Sequence, residues 1–470
     1  MNKVFMFLAF VFLSRVLFAQ DFKSINLELG SLAKPEKIIK VDENSFIVMS
    51  VMDDDKSKKV FLTIIDTREG REAKERDEKF VFEGATQISL YKSAEDVYLI
   101  YCSVLSAKIE VKAKQFDIGL GLISEKTIYT FKSDNAAQLG SVSVLRNEYN
   151  GATYIYHEKA YQKDKKEEAT IVWLDKDLNE IAIQNYTLPH NDKPRKTNVP
   201  VAGMDRLFVL KRVFEVGKND YYFLSFTKSS STPTNKNMGY GTARITDVQH
   251  ALNDKDEMQI MASTAPAAGG GVNSFIAARY AADGTQLENK FLSNEVLENQ
   301  LFKGIMKKTP FMHVRGAGDW VDHEGKGNFI WIAAGIENKK GEDNFHFKEY
   351  YVVKPFQNPA QATVVNLSIS SSEPEVRNFS LANAKDETSF VNVSSLVAPV
   401  GKSKASVVQS QIKIDYFENE RFYQSGAFAL DLMENSKFYT ACPILFQSNT
   451  VYLISANDRN FYFNSVRIKD

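Results

Sequence analysis

The chain has 470 residues, and its 58 lysines and arginines nearly cancel its 59 aspartates and glutamates, leaving a formal net charge of -1. Neither sign gathers into a long block, which excludes the broad basic surface that tracks a nucleic-acid backbone. Its 2 cysteines, Cys102 and Cys442, lie far apart in apolar, strand-like surroundings and read as buried thiols; a disulfide between them does not follow from sequence.

In chain order, the first element is expected to be discarded. Lys3 gives a positive start, Val4 to Leu13 an apolar core, and Ala19 a small residue before Gln20, which is the order of a secretory signal peptide. Residues 1–19 are therefore read as a signal peptide. Residues 20–470 are read as one exported domain, periplasmic or extracellular. Arg15 cuts the apolar run short of the roughly 18 residues that a spanning helix needs. No transmembrane segment is expected, and no cysteine follows the cleavage point to carry a lipid.

The mature part opens with a lone strand, Phe22 to Leu29 (FKSINLEL). A short phrase then recurs, in which one or two polar residues precede a burst of aromatic and β-branched ones. It reads NSFIVMS at Asn44, EDVYLIY at Glu95, GATYIYH at Gly151, NDYYFLS at Asn219, GNFIWIA at Gly327, TSFVNVS at Thr388 and NTVYLIS at Asn449. Runs before and after each phrase, such as KIIKV, VFLTIID, IVWLD, SFIAARYAA, YYVVKPF and IKIDYF, have the composition of strands. Turns rich in Asp, Asn and Gly separate them, at Asp66 to Gly70, Asp117 to Gly119, Asp175 to Asn179 and Asp283 with Gly284.

A four-strand unit recurring roughly every 50 to 60 residues resembles the β-propeller superfamily; no more specific family is suggested. The resemblance implies an all-β, seven-bladed propeller of four-stranded blades, with eight blades as the alternative, and one continuous domain in place of several. It also implies closure of the ring. The last unit, with PILF, VYLIS and FYFNSVRI, ends at Asp470 one strand short, and Phe22 to Leu29 is the spare strand to complete it.

The spacing nearly doubles between the phrases at Asn219 and Gly327. Residues 228–272 (Lys228 to Val272), rich in Ser, Thr, Asn, Gly and Ala, are read as a long loop insertion in the fourth blade. Within it Ile245, Val248 and Leu252 have the spacing of a short helix, and Ala265 to Gly271 form an Ala and Gly tract. Neither Gly269 to Gly271 nor Gly239-Tyr-Gly241 makes a phosphate loop, because no Lys-Ser or Lys-Thr follows the first and the second lacks its third glycine.

Candidate chemistry is sparse. His313, Arg315, Asp319, Asp322, His323 and Glu324 form the densest polar cluster, but a strand separates its two halves, so no convergent metal or acid–base site follows. Asp53 to Asp55 lack the alternating ladder and glycine of a calcium loop. No metal site and no cofactor are called for, and catalytic residues are not assigned. Arg206, His313, Arg315 and Arg377, read as lying near inner-strand starts, are the candidate ligand-binding groups and bias their face towards anions. The expectation is a non-enzymatic binding or scaffold protein that holds a protein or glycan on its loop-rich face. The alternative is a hydrolase or lyase acting on glycans or peptides in the central funnel.

Overall fold

The computed structural model describes residues 22–468 apart from turn and loop segments, the longest of which are 190–197, 266–273, 294–312, 322–327, 337–348, 355–360, 367–374, 400–407 and 430–436. The signal-peptide reading of residues 1–19, Gly239 to Gly241, Gly269 to Gly271, and Asp322 to Glu324 all lie outside the described residues.

The chain begins with β1 (Phe22–Asn26). It then forms seven consecutive four-stranded antiparallel sheets. They are β2 to β5 (Lys34–Lys40, Ser45–Asp54, Ser57–Asp66, Ala73–Glu83), β6 to β9 (Ala85–Ser93, Asp96–Leu105, Lys108–Asp117, Leu122–Lys132) and β10 to β13 (Ser141–Arg146, Thr153–Glu158, Glu167–Leu174, Glu180–Leu188). Next come β14 to β17 (Val199–Ala202, Arg206–Glu215, Lys218–Thr227, Thr234–Asn237) and β18 to β21 (Arg244–Leu252, Met258–Ala265, Ser274–Tyr280, Gln286–Ser293). The last two are β22 to β25 (His313–Val321, Asn328–Ile336, Glu349–Lys354, Gln361–Asn366) and β26 to β29 (Glu375–Asn383, Ser389–Pro399, Val408–Glu418, Arg421–Ala429). The eighth sheet joins both chain ends: β30 (Lys437–Phe438) and β31 (Leu445–Gln447) share the edge of β32 (Thr450–Ala456), followed by β33 (Phe461–Arg467) and finally β1.

These sheets are the blades of a β-propeller, because neighbouring sheets follow one another around the ring and the eighth returns to the first. Val51, Leu62 and Phe82 of blade 1 meet Leu99 and Phe116 of blade 2. Similar clusters join blades 2 and 3, 3 and 4, 4 and 5, and 7 and 8, while the inner strands β18, β22 and β26 lie side by side. Phe46, Val48 and Ile65 of blade 1 pack on Tyr452, Ile454 and Phe463 of blade 8. A strand in the middle of such a blade has neighbours on both faces, so it reads as a continuous apolar run. β3, β7, β11 and β32 are buried along nearly their whole length, whereas the outermost β9 and β13 are mostly exposed.

Among the described residues the sheets number eight, which fits the eight-bladed alternative to the expected seven, and the difference falls on residues 228–272. The expected insertion carries β17, β18 and β19, so blade 4 is complete before Met238 and a fifth blade follows. The spacing expected to mark a helix belongs to β18. A bulge between Ile245 and Asp247 shifts the ladder by one residue, so Ile245, Val248 and Leu252 oppose Thr264, Ala262 and Met258, alternate positions of β19. One bulge in a strand thus imitates a helical period.

Ring closure pairs Phe22 to Asn26 with Val466 to Tyr462, and the ladder continues as Leu27 N–H donates to the Phe461 carbonyl at 2.9 Å. Ser24 Oγ donates to Asn464 Oδ1 at 2.8 Å, and the buried Asn464 Nδ2 donates to Ser455 Oγ at 2.9 Å, a thread across three strands that is half-buried at Ser24. Leu27 is fully buried between blades 8 and 1. Leu27→Ala is expected to destabilise the protein by about 2–5 kcal/mol, as large-to-small core changes do, read as a lower urea midpoint at unchanged slope. A midpoint equal to wild type would contradict closure through this residue.

Candidate functional site

The two faces of the ring differ in how their strands are joined. In each blade the turn from first to second strand and the turn from third to fourth emerge on one face. The connection from second to third, and from fourth to the next blade, emerge on the other. On the first face no connection is longer than 67–72, and most are short, such as 41–44, 94–95, 203–205 and 419–420. The second face collects 133–140, 159–166, 189–198, 266–273, 294–312, 337–348, 367–374 and 400–407.

The tight-turn face is cross-stitched between blades. Asp256 Oδ1 accepts from Met204 N at 2.7 Å and its Oδ2 from Asp205 N at 3.3 Å. From the other side Asn147 Nδ2 donates to the Ala202 carbonyl at 3.0 Å, Asn150 Nδ2 to the Met204 carbonyl at 3.0 Å, and Tyr154 OH to the Gly203 carbonyl at 2.9 Å. Blades 3 and 5 thus clamp the first turn of blade 4. Asp53 and Asp54 lie at the β3–β4 hairpin on the opposite, long-connection face, paired with Lys58 and with Lys59, the latter at 2.8 Å.

The backbone separates the residues singled out in the sequence. His313 and Arg315 open β22, the inner strand of blade 6, and Arg377 lies near the start of β26, the inner strand of blade 7. Both strand starts are on the face with the long connections, and β22 and β26 are neighbours. Arg206 is elsewhere. It opens β15, a second strand, because the 203–205 turn precedes it, so it sits half-buried on the tight-turn face.

Arg377 has a further feature that sequence could not show. The ladder steps from Val376↔Leu396 to Asn378↔Ser395, so Arg377 is the extra residue of a β-bulge. Glu36 in β2, Thr86 in β6 and Thr246 in β18 hold the corresponding place in their inner strands. Bulges re-aim a residue out of the regular alternation and gather at the rims of closed sheets and beside binding sites. Four blades therefore carry one irregular residue each where the inner strand leaves the long-connection face.

Two buried polar groups support that face. Between blades 3 and 4, Lys211 Nζ is ion-paired with Glu167, and the two side chains are 0% and 7% exposed. Asn198 Nδ2 donates to Glu158 Oε2, and Tyr156 OH lies 3.5 Å from the same oxygen. Burial, chiefly, pushes the Tyr156 phenol well above its ordinary range. Between blades 2 and 3, His157 Nε2 lies 2.6 Å from the Leu139 carbonyl and Nδ1 3.0 Å from Tyr129 OH. A carbonyl only accepts, so Nε2 carries the proton and Nδ1 accepts from the tyrosine. Burial holds the His157 pKa below its ordinary value.

No family model matches the chain, and no curated protein matches it. Solved structures of similar fold include the β-propeller domain of the Trilobed protease from Pyrococcus furiosus, with 11% identity over 84% of this chain and 99% of that one, at a TM-score of 0.40. The Dos1 propeller has 9% identity over 97% of this chain and 99% of that chain, at 0.45. Polysaccharide lyase Uly1 has 8% identity over 82% and 90%, at 0.42. The chain is similar to these in fold; its class, β-propeller, rests on its own sheets.

Two outcomes follow from the buried groups. Burial disfavours the charged imidazolium of His157 in the folded state, so the unfolded chain binds the extra proton first. Its contribution is fully present above the ordinary histidine pKa of 6.5 and is lost as pH falls from there towards the depressed folded value. His157→Gln is expected to flatten the stability profile below pH about 6.5, measured by urea unfolding at a series of pH values; an unchanged profile would contradict the assignment. Lys211→Met removes the cation paired with the buried Glu167 carboxylate and is expected to cost about 3–5 kcal/mol, while Lys211→Met with Glu167→Leu recovers most of it. A double variant as unstable as the single would show that the pair is not coupled.

Proposed function

We propose that this propeller is an exported, non-enzymatic binding or scaffold protein whose partner, a protein or a glycan, docks on the face that carries the long connections. The observation that supports this reading most is the asymmetry of the two faces. Length is concentrated at 294–312, 337–348, 367–374 and 400–407, around blades 5 to 7, on a ring whose opposite face is closed by short, cross-bonded turns. A rigid ring that supports long connections on one side is the usual ground plan of a binding surface.

His313, Arg315 and Arg377 begin or nearly begin the inner strands of blades 6 and 7 beneath those connections. Two arginines there favour a partner with carboxylate, sulfate or phosphate groups, which a guanidinium meets with paired hydrogen bonds. Export rests on the N-terminal pattern; Edman sequencing of the native protein is expected to start at Gln20.

The binding reading is tested by replacing 337–348 with a short Gly-Ser linker and measuring capture of partners from the native envelope or medium beside wild type. The expected outcome is loss of the principal wild-type partner while the melting temperature stays near wild type. An unchanged partner set from a folded variant would contradict the placement, and turnover of a glycan or peptide by the wild type would favour the hydrolase or lyase alternative.

A further inference from the structure

One buried residue breaks the pattern of the blade seams. In the second strand of each blade one row of side chains faces the next blade, and near the tight-turn end that row holds Ile47, Tyr98, Tyr154, Phe208, Val391 and Tyr452 in blades 1 to 4, 7 and 8, all buried between blades. In blade 5 the corresponding residue is Gln259. Its neighbours Met258 and Ile260 pack with Phe208 and Phe223 of blade 4, so by the alternation of a strand Gln259 is on the face turned to blade 6.

Gln259 is 0% exposed, and neither its carboxamide oxygen nor its carboxamide nitrogen has a hydrogen-bond partner among the described residues. A buried amide in that condition has given up water without replacement, a cost that native proteins rarely carry unless another group meets it. Space-filling does not call for it, since the other blades fill the same place with hydrocarbon or aromatic rings. A carboxamide sets two donors and an acceptor side by side. An anion supplies acceptors alone and leaves the oxygen unmet, and an ammonium supplies donors alone and leaves the nitrogen unmet. A pair of adjacent hydroxyls supplies both, and such pairs are the recurring feature of a sugar ring.

The residues beside Gln259 suit the same ligand. Arg279 of β20 stands opposite it in the ladder. The Arg279 guanidinium donates from Nη1 to Glu288 Oε2 at 3.2 Å and from Nη2 to Glu257 Oε2 at 3.3 Å. These bonds are long beside the roughly 2.7–2.9 Å of a well-formed charge-assisted pair. Glu257 directly precedes β19 and Arg279 nearly ends β20, so the group stands beside the tight turns 253–257 and 281–285. All three side chains are partly exposed, which puts a planar, polar rim within reach of solvent next to the enclosed carboxamide.

We propose that Gln259 is the floor of a sugar-binding site between blades 5 and 6, entered from the tight-turn face, in which two adjacent hydroxyls of a neutral glycan residue meet its carboxamide. Arg279 turns aside to admit the sugar and donates to its oxygens, while Glu257 and Glu288 accept from further hydroxyls. The site is separate from the partner surface on the long-connection face and does not depend on it.

The test is isothermal titration of the protein with neutral hexasaccharides of glucose, mannose, galactose and xylose, comparing wild type, Gln259→Leu, Glu288→Gln and the variant in which a Gly-Ser linker replaces 337–348. Wild type is expected to bind at least one of these sugars saturably at a single site. Gln259→Leu, which gives blade 5 the kind of residue that the other blades carry, should fold and bind at least about tenfold more weakly, the loss expected with the hydrogen bonds of the carboxamide. Glu288→Gln should weaken binding several-fold, and it carries the comparison should Gln259→Leu not fold. The linker variant should bind as wild type does, which sets this site apart from the opposite face. The proposal is overturned if none of the hexasaccharides binds saturably, in which case the carboxamide holds only an ordered water. It is equally overturned if a folded variant at Gln259 or Glu288 binds as wild type does, or if the folded linker variant loses the sugar.

Discussion

The pairing of β1 with β33 is the contact on which the rest of the ring depends. Every other blade is continuous in sequence and assembles through local hairpins, but blade 8 exists only when residues from the two ends of the chain meet. Without it, Phe46, Val48 and Ile65 of blade 1 would lose the face supplied by Tyr452, Ile454 and Phe463, and Leu27 would lose its place between the blades. An open ring would also expose strand edges and apolar faces that a closed one hides. Asn464 adds specificity to this closure, since its buried amide is satisfied only when Ser24, Ser455 and the Tyr462 carbonyl are all in place.

A closed ring of this kind divides its work between two faces. One face is a lattice of short turns bonded from blade to blade, as Asp256, Asn147, Asn150 and Tyr154 do around 203–205. That lattice holds the inner strands in register, so the other face can carry long connections without a matching penalty in stability. Buried polar contacts between blades, Lys211 with Glu167 and His157 with Tyr129, sit under the long-connection face and fix neighbouring sheets against each other. Their cost in desolvation is offset only when both partners are present, which makes blade order and register specific as well as stable.

Much of the architecture could be read from the chain, because a strand buried on both faces must be apolar throughout. SFIVMS, DVYLIY, TYIYH and TVYLIS fall on β3, β7, β11 and β32, all second strands of their blades. The count slipped where this signal changed position. NDYYFLS lies on β16, a third strand, and the second strand of blade 5, MQIMASTA, is composed of methionines, alanines and hydroxyl residues in place of aromatics. The site was less legible. Lys211 inside LFVLKRVFE was a visible anomaly, a charge in a buried strand, but its partner Glu167 lies one blade away and nothing local points to it. The bulges at Glu36, Thr86, Thr246 and Arg377 are properties of register, which depends on the partner strand and leaves no mark in the residue itself.

Closure is tested most directly by amide hydrogen exchange of the protein, followed by mass spectrometry on peptides covering residues 22–29 and 461–468. If β1 is a full member of blade 8, its amides open only when the ring opens, and residues 22–27 should exchange as slowly as those of β32 and β3. Exchange of residues 22–27 within seconds, while β32 stays protected, would mean that the N-terminal strand is a frayed end and that the ring is held shut by something other than the meeting of its two termini.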